Sequence, residues 1–238
     1  MAINNETIGI SCEVAIAEYF NLKVNEQYIK RGDREIIEKI KIVIPEIFSK
    51  FHIPFPIEHT AEDHCPYDFL LKENKTLSVK SNKNKLGKVA PSNIGQPSSN
   101  TFFKKFNMFF KDENIKNYTY EEKRELFKNF VVDNIAFLIE KYYDNLFETD
   151  YYIHFYNFNN NDIKYIVLEK EYIKDFNLKN IDYTFTRNIE TWNESTTLKI
   201  SDLSIGEFQV HKNRDCFKFR FNIDNLLKIM EKIKNGYL

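Results

Sequence analysis

The strongest constraint on the fold is the way hydrophobic spacing changes along the chain. Apolar residues recur at helical spacing over about residues 7–20, 33–44, 119–147 and 223–233. They alternate, or form short runs, over residues 67–71, 77–80, 151–158, 164–168, 183–188, 196–200, 206–211 and 216–221. A chain with both periods is neither all-α nor all-β. The pattern predicts an α+β (α/β/α-like) fold, with a central mixed β-sheet flanked by helices.

Several residues predict where the helices begin and end. Asn5 or Thr7 can cap the first helix through a side-chain oxygen. Pro45 lacks a backbone N–H, so it is expected to bend or interrupt the second helix. Thr119 and Glu122 have the spacing of a capping box, which marks the start of the third helix.

The short segments 67–71 and 77–80 predict a β-hairpin with Asn74 at its turn. Residues 81–100 are polar and rich in Gly and Pro, which indicates a long loop or a set of short turns. Long loops inside compact domains are often functional. Because the sequence has neither an internal repeat nor a flexible linker, residues 1–238 are expected to form a single domain.

Composition narrows the class of protein. The three cysteines, Cys12, Cys65 and Cys216, form an odd and widely spread set, which favours reduced thiols over a disulfide framework. The sequence contains no apolar run of about 18 residues that could span a membrane. Residues 1–7 do not resemble a signal peptide. A cytoplasmic protein of a prokaryote is therefore expected.

The charges are unevenly distributed, although the formal net charge is only -1. No acidic residue lies between Glu73 and Asp112, where eight lysines occur. The Ser and Asn side chains of this segment can hydrogen-bond phosphates and base edges. A solvated loop that serves only solubility is the alternative. The candidate nucleic-acid contacts are Asn82, Lys83, Lys85, Lys88, Asn93 and Gln96.

A second basic feature is the predicted C-terminal hairpin, residues 206–211 and 216–221. Three phenylalanines alternate with Lys218 and Arg220, so a strand would bury the phenylalanines and place both cations on its other face. A two-stranded ribbon fits the major groove of DNA. An ordinary half-exposed hairpin is the alternative. The candidate DNA contacts here are Gln209, His211, Arg214, Lys218 and Arg220.

A carboxylate and a lysine at neighbouring strands form the candidate catalytic site. Asp68 begins one predicted strand and Lys80 ends the next. The carboxylate could bind Mg²⁺, which polarises a phosphate, and the lysine could act on the attacking water and stabilise developing charge. The backbone carbonyl of Val79 is a further candidate metal ligand.

Residues 66–71 (PYDFLL) and 78–80 (SVK), together with the helix 9–15 (GISCEVA), resemble the PD-(D/E)xK nucleases and among them the type II restriction endonucleases. The resemblance implies that Glu13, an acid on a helix before the motif, is a further metal-site carboxylate. One position departs from the motif: Ser78 stands where its second acid is expected. Ser78 could hold a water through its hydroxyl group.

The resemblance also implies a restriction-endonuclease-like fold with one or two Mg²⁺ ions in each active site. A catalytic core would occupy about residues 1–110, and a helix and β-rich part at about residues 119–238 would serve recognition and dimerisation. The expected activity is cleavage of both strands of duplex DNA at a short palindromic site by a homodimer. A companion DNA methyltransferase would be its genetic partner.

Other assignments remain open at the sequence level. Asp150 with residues 162–164 (DIK) also fits the motif, and Glu18 could replace Glu13. His59, Glu62, Asp63, His64 and Cys65 are of metal-binding types, although a zinc site usually draws on a second Cys/His pair. Asp68 could instead cap nearby N–H groups. A structure-specific repair or junction nuclease and a catalytically silent DNA-binding protein are the rival functions.

Overall fold

The computed structural model describes residues 4–61, 65–110, 112–159, 162–174 and 176–237. The chain divides into two compact units, Met1–Gly87 with Phe147–Asp175 and Lys88–Leu146 with Phe176–Leu238. These are called the first and second units below. Each unit is therefore built from two separate stretches of the chain.

The described residues contain both helices and strands in each unit. In chain order they are α1 (Asn5–Tyr19), α2 (Glu26–Ile29), α3 (Arg34–Lys50), β1 (Pro56–His59), β2 (Phe69–Leu71), β3 (Thr76–Asn82), β4 (Lys88–Val89), α4 (Ser99–Lys105), α5 (Tyr120–Asp133), α6 (Ile135–Leu146), β5 (Tyr151–Tyr156), β6 (Lys164–Glu169), α7 (Lys170–Ile173), β7 (Tyr183–Phe185), β8 (Ser195–Ile200), β9 (Leu203–His211), β10 (Cys216–Asn222) and α8 (Ile223–Lys234).

The sheet of the first unit is mixed, with the strand order β1-β2-β3-β5-β6. Strands β3 and β5 are parallel, with Lys80 opposite His154, and the other neighbours are antiparallel. Helix α1 packs against both α3 and β3. Because it is covered on two sides, α1 buries most of its residues, including Ile8, Val14 and Ile16.

The helix boundaries agree with the sequence signals in part. The cap of α1 is Asn4, whose side chain accepts a hydrogen bond from Thr7 N, so neither Asn5 nor Thr7 is the cap. Helix α3 begins after its cap Asp33 and continues through Pro45 to Lys50, so the predicted interruption is wrong. Buried isoleucines on both sides of the proline hold the helix in the core, which offsets the lost backbone hydrogen bond: Ile40, Ile44 and Ile47.

The hairpin of β2 and β3 is confirmed, with Asn74 in its turn. Leu71 N donates to Lys75 O, and Phe69 pairs with Leu77. Both Glu73 and Asn74 have positive φ, as a tight turn between antiparallel strands requires. Residues 81–100 are a set of short elements: the end of β3, a turn at residues 83–87, the short strand β4 and the start of α4.

The sheet of the second unit is antiparallel throughout, with the order β4-β10-β9-β8-β7. One face of β10 packs on an aromatic core, in which Phe217 stacks on Phe127 with ring centroids 4.1 Å apart and Phe219 stacks on Tyr142 at 4.6 Å. Trp192 is fully buried in the same core. The C-terminal hairpin predicted from the alternation is therefore present.

The predicted helix over residues 119–147 is two helices, α5 and α6, separated at Asn134. The capping box of Thr119 and Glu122 at the start of α5 is confirmed. Asn134 leaves the helical conformation, and both its backbone N–H and its side-chain amide donate to Phe130 O. These two bonds satisfy the carbonyl end of α5, which explains a break that hydrophobic spacing does not reveal.

The α+β class, the mixed sheet and the C-terminal hairpin are all confirmed, and the second sheet is an addition to the predicted one. Among the helices formed by the described residues, none is both long and apolar enough to cross a membrane.

Candidate active site and nucleic-acid interface

Asp68 and Lys80 meet on the hairpin of the first unit. Asp68 immediately precedes β2, and its N–H donates to Leu77 O on β3 at 3.0 Å. Its Oδ2 atom accepts hydrogen bonds from Val79 N at 2.6 Å, from Ser78 Oγ at 3.1 Å and from Lys80 Nζ at 3.4 Å. The predicted convergence of carboxylate and lysine is therefore present. So is the backbone N–H bond expected of a structural carboxylate.

Glu13 reaches the site from α1. Its side chain is only 12% exposed, because α1 is buried on most of its surface. Tyr28 Oη donates to Glu13 Oε2 at 2.5 Å, and His59 Nε2 lies 3.4 Å from the same oxygen. The helix acid implied by the resemblance is thus held from two sides by side chains of α2 and β1.

The charges of Asp68 and Lys80 both act on Glu13. Burial raises the pKa of Glu13, and the charge of Asp68 raises it further. Hydrogen bonds from His59 and Tyr28 and the charge of Lys80 act in the opposite direction. A buried carboxylate beside a second one is stabilised by an additional positive charge.

The two carboxylates leave oxygen atoms available for a metal ion. All contacts of Asp68 go to Oδ2, and both contacts of Glu13 go to Oε2. Asp68 Oδ1 and Glu13 Oε1 make no hydrogen bond to any residue that the structure describes. Mg²⁺ is often bound by only one or two carboxylates, with waters and substrate phosphates completing its shell. The donor set therefore fits a hard divalent cation.

The cluster of metal-binding residue types between His59 and Cys65 is only partly described by the structure. Glu62, Asp63 and His64 lie outside the described residues. Within the described ranges, no three His, Cys, Asp or Glu side chains are arranged to hold a metal ion. His59, which is described, contacts Glu13 instead. The described residues of this cluster, His59 and Cys65, therefore give no support to a zinc site.

The two alternative acids, Glu18 and Asp150, form ion pairs with other residues. Glu18 pairs with Arg34 at 2.7 Å and with Lys41, and these hydrogen bonds and charges hold its pKa below the ordinary value despite partial burial. Asp150 accepts hydrogen bonds from Thr76 N at 2.9 Å and from Lys75 Nζ at 3.0 Å. Glu13 therefore remains the candidate helix acid, and Asp150 joins the start of β3 to the residue before β5.

The polar face of the C-terminal hairpin is confirmed. Gln209 lies directly opposite Lys218, and Glu207 lies opposite Arg220, whereas the phenylalanines of β10 are buried on the other face. His211 Nε2 contacts Gln209 Oε1 at 3.1 Å. Arg214 is exposed in the turn between the strands. The five candidate DNA contacts of the hairpin thus lie on its half-exposed face or in its exposed turn.

The candidates from the basic segment divide between the two units. In the first unit, Asn82 Oδ1 accepts from Gly87 N at 2.9 Å and contacts His154 Nε2 at 2.8 Å, so this amide stabilises the turn that carries Lys83 and the exposed Lys85. In the second unit, Lys88 pairs with Glu207 at 3.0 Å.

The remaining two candidates of that segment, Asn93 and Gln96, are exposed in the second unit. The backbone of Asn93 is tied down at both ends: its N–H donates to Asn145 Oδ1 at 3.0 Å, and its carbonyl accepts from Lys105 at 2.5 Å. Gln96 lies between Gly95 and Pro97, whose carbonyls accept hydrogen bonds from β10.

Sequence reasoning missed Tyr28 and Glu207, and it considered His59 only as a residue of metal-binding type. Tyr28 and His59 hold Glu13, but nothing in the local sequence marks them as neighbours of that side chain. Glu207 accepts hydrogen bonds from Lys88, Gln209 and Arg220. Its position could have been found, because it continues the two-residue period of Gln209 and His211.

Comparison with known proteins gives one informative match. The chain is 34% identical over 174 residues to the Type II restriction enzyme CviAII of Paramecium bursaria Chlorella virus 1, which covers 73% of this chain and 47% of that protein. The chain thus spans about half the length of this curated relative. No protein-family model matches the chain. No solved structure matches it either.

Proposed function

Since the chain is related to a type II restriction enzyme, we propose that it is a Mg²⁺-dependent, sequence-specific endonuclease that hydrolyses phosphodiester bonds of duplex DNA. The observation that carries the proposal is the meeting of Asp68, Lys80 and Glu13 at one end of the β2–β3 hairpin. The relative's name supplies the class of activity, and this geometry supplies residues able to perform it.

Each residue of the site has a chemical task in this proposal. Lys80, 3.4 Å from Asp68, orients the attacking water and stabilises the charge that develops on the phosphate. Ser78 and Val79 N hold Asp68 through Oδ2, so that Oδ1 faces the ligand in a fixed direction. Ser78 thereby positions the first acid of the motif, in addition to occupying the place of the second.

A Mg²⁺ ion would be held by Asp68 Oδ1 and Glu13 Oε1, with the Val79 carbonyl as a further ligand. When bound, it would polarise the phosphate and acidify the attacking water. Tyr28 and His59 keep Glu13 oriented towards that position while occupying its other oxygen.

The two units would have different functions, catalysis in the first and DNA recognition in the second. The first unit contains the three catalytic residues, and the second unit presents the polar face of the hairpin to base edges. We expect a two-fold homodimer, in which two copies of the site act on opposite strands of a palindrome. A DNA methyltransferase of the same specificity would protect the host DNA.

The decisive experiment is digestion of a defined unmethylated DNA by the purified protein with Mg²⁺, followed by sequencing of the ends. We expect discrete fragments whose ends share one short sequence. Unspecific ends would indicate a structure-specific nuclease. No cleavage with Mg²⁺ or Mn²⁺, in DNA from varied sources, would contradict the enzymatic function and favour a silent DNA-binding protein.

Metal binding can be measured without cleavage. Mg²⁺ binds only the folded protein in this proposal, so millimolar Mg²⁺ should raise the Tm of the wild type. The variant Asp68→Asn keeps the shape of the side chain but not its charge, so the rise should largely disappear. Asp150→Asn is the matched control and should keep the rise. An equal rise in all three proteins would place the metal elsewhere.

A further inference from the structure

Three donors from three strands converge on a single carboxylate oxygen of the second unit. Glu207 Oε2 on β9 accepts hydrogen bonds from Arg220 Nη2 on β10 at 2.8 Å, from Lys88 Nζ on β4 at 3.0 Å and from Gln209 Nε2 at 3.0 Å. The Glu207 side chain is only 14% exposed, while Arg220 and Lys88 keep 30% and 40% of theirs. The acid is thus the buried centre of a basic face.

The contacts of Glu207 favour its charged form. Burial raises the pKa of Glu207, but the hydrogen bonds and charges of Lys88 and Arg220 outweigh it and lower the pKa below its ordinary value. A negative charge on a surface that meets DNA repels phosphates. Its presence therefore needs a reason other than affinity, and its contacts supply one, because it fixes the orientation of two side chains that can read bases.

The hydrogen bonds also fix the direction of the Gln209 amide. Because Gln209 Nε2 donates to Glu207, its Oε1 can only accept, so His211 must carry its proton on Nε2. Burial, reinforced by Lys218 and Arg214, lowers the pKa of His211, which disfavours the charged ring. Glu207, Gln209 and His211 thus form one ordered chain of polar groups along β9.

Arg220 retains donors for a ligand. Its contact with Glu207 uses Nη2 only, so Nη1 makes no hydrogen bond to any described residue, whereas its Nε is buried, also without an acceptor there. Bidentate contact of arginine with guanine, and of glutamine with adenine, requires a fixed plane for the side chain. The ion pair with Glu207 can fix the plane of the Arg220 guanidinium in the protein without DNA.

We infer that Glu207 is a positioning residue for sequence recognition, which holds Arg220 and Gln209 in the orientation needed to read base edges. This inference rests on the proposed function, since it concerns how a DNA endonuclease chooses its site. In this inference the acid Glu207 contributes to the choice of DNA sequence by orienting the side chains that contact the bases.

The test compares cleavage of the cognate site with cleavage of every site that differs from it by one base pair. We expect Glu207→Gln to lower the discrimination by about 10- to 100-fold, mainly at the base pair that Arg220 reads. Binding to unrelated DNA should stay equal or become tighter, because a negative charge is removed. Glu140→Gln, which breaks the 2.7 Å pair with Lys179 in the same unit, should leave discrimination unchanged.

A second variant identifies the base pair and does not depend on the stability of the first. Arg220→Lys keeps the charge but loses the planar fork, so it should relax discrimination at the same base pair as Glu207→Gln. The double variant should be no worse there than either single variant, because both remove one contact.

Several results would overturn the inference. One is unchanged discrimination in Arg220→Lys, and another is tighter binding to all DNA by Glu207→Gln with discrimination intact. Relaxation by Glu207→Gln at a base pair that Arg220→Lys leaves unaffected would make Glu207 a direct base contact instead. Failure of the wild type to cleave any specific site is a different outcome: it removes the proposed function, and this inference with it.

Discussion

At the scale of single residues, the candidate catalytic pair has a close structural counterpart in the same unit. Lys80 lies 3.4 Å from Asp68, and Lys75 lies 3.0 Å from Asp150. Both lysines belong to β3 or its turn, and both aspartates also accept a backbone N–H. The difference is the surroundings, since only the first pair adjoins a second, buried carboxylate, Glu13.

This counterpart allows a controlled test of catalysis. In the proposed mechanism Lys80 orients the attacking water and stabilises charge, so Lys80→Met should lower the rate of DNA cleavage by about two to four orders of magnitude. Lys75→Met should leave the rate within a few-fold of the wild type. Cleavage rates under single-turnover conditions, with circular dichroism as a check of folding, measure both. Equal effects of the two substitutions would contradict the role of Lys80.

The buried His154 predicts how stability depends on pH. It hydrogen-bonds Asn82 and Tyr152, and burial, reinforced by the charge of Lys80, lowers its pKa to about 3. The unfolded chain has the ordinary histidine pKa of about 6.5. Unfolding therefore takes up a proton between these values. Stability should fall, by up to about 1.4 kcal/mol per pH unit, as the pH decreases from about 6.5 towards 3.

Urea denaturation at several pH values between 5 and 8 measures this dependence. Above about pH 6.5, His154 is neutral in both states and should contribute no slope. The variant His154→Gln removes the titrating group, so its stability should fall less steeply below pH 6.5 than that of the wild type. The same slope in both proteins would mean that His154 is protonated in the folded state.

At the scale of elements, the strand β10 shows how one segment serves two purposes. Its phenylalanines fill the aromatic core of the second unit, and its cations occupy the opposite face. The antiparallel register with β9 then places Lys218 beside Gln209 and Arg220 beside Glu207. A shift of one residue would exchange the two faces, so the buried rings fix the position of the polar side chains.

Neighbouring residues of β10 should therefore differ sharply in their contribution to stability. Phe219 is fully buried against Tyr142 and Phe208, so Phe219→Ala should lower the free energy of unfolding by about 3–5 kcal/mol. Lys218→Ala, one residue away, should change it by less than about 0.5 kcal/mol. Chemical denaturation measures both. A large loss in Lys218→Ala would show that the polar face is itself part of the core.

The start of α5 gives an independent test of a local signal. Thr119 Oγ1 accepts from Glu122 N, and Glu122 accepts from Thr119 N in return. Thr119→Ala should destabilise the protein by about 1 kcal/mol, and Thr119→Ser should restore most of it, because serine caps helices equally well. Identical stabilities of the two variants would exclude a capping contribution.

At the scale of the whole molecule, positive and negative charges are only partly separated. The segment between Glu73 and Asp112 contains no acid, yet three of its lysines pair with acids from other parts of the chain: Lys75 with Asp150, Lys80 with Asp68 and Lys88 with Glu207. The local excess of positive charge seen in the sequence is thus reduced by folding. Lys83, Lys85 and Lys218 form no ion pair with any described residue.

The dependence of DNA-binding affinity on salt concentration shows which cationic side chains contact DNA phosphates. Binding of the Asp68→Asn variant, which should not cleave, should weaken with added salt in a log–log plot. Adding Lys218→Gln should reduce the slope by about 0.9, the value for one lost phosphate contact. Lys228→Gln should not change it, since Lys228 is paired with Asp224 on α8. An unchanged slope after loss of Lys218 would remove this residue from the interface.

The sequence alone determined the features that depend on neighbours along the chain. Hydrophobic spacing, caps and turn residues predicted the hairpin of Asp68 and Lys80, the capping box at Thr119 and the two faces of β10, because each depends on residues a few positions apart. The resemblance carried by residues 66–71 and 78–80 indicates the same class of enzyme as the related type II restriction enzyme.

Only the tertiary structure decided the features that depend on distant segments. The ion pairs of Glu18, the contact of Glu13 with His59 and the pairing of Lys88 with Glu207 arise from packing between separate elements, 46 and 119 residues apart in the last two cases. The continuation of α3 through Pro45 has the same origin, because buried isoleucines outweigh a local preference. Burial and long-range charge set these outcomes, and neither is encoded by spacing along the chain.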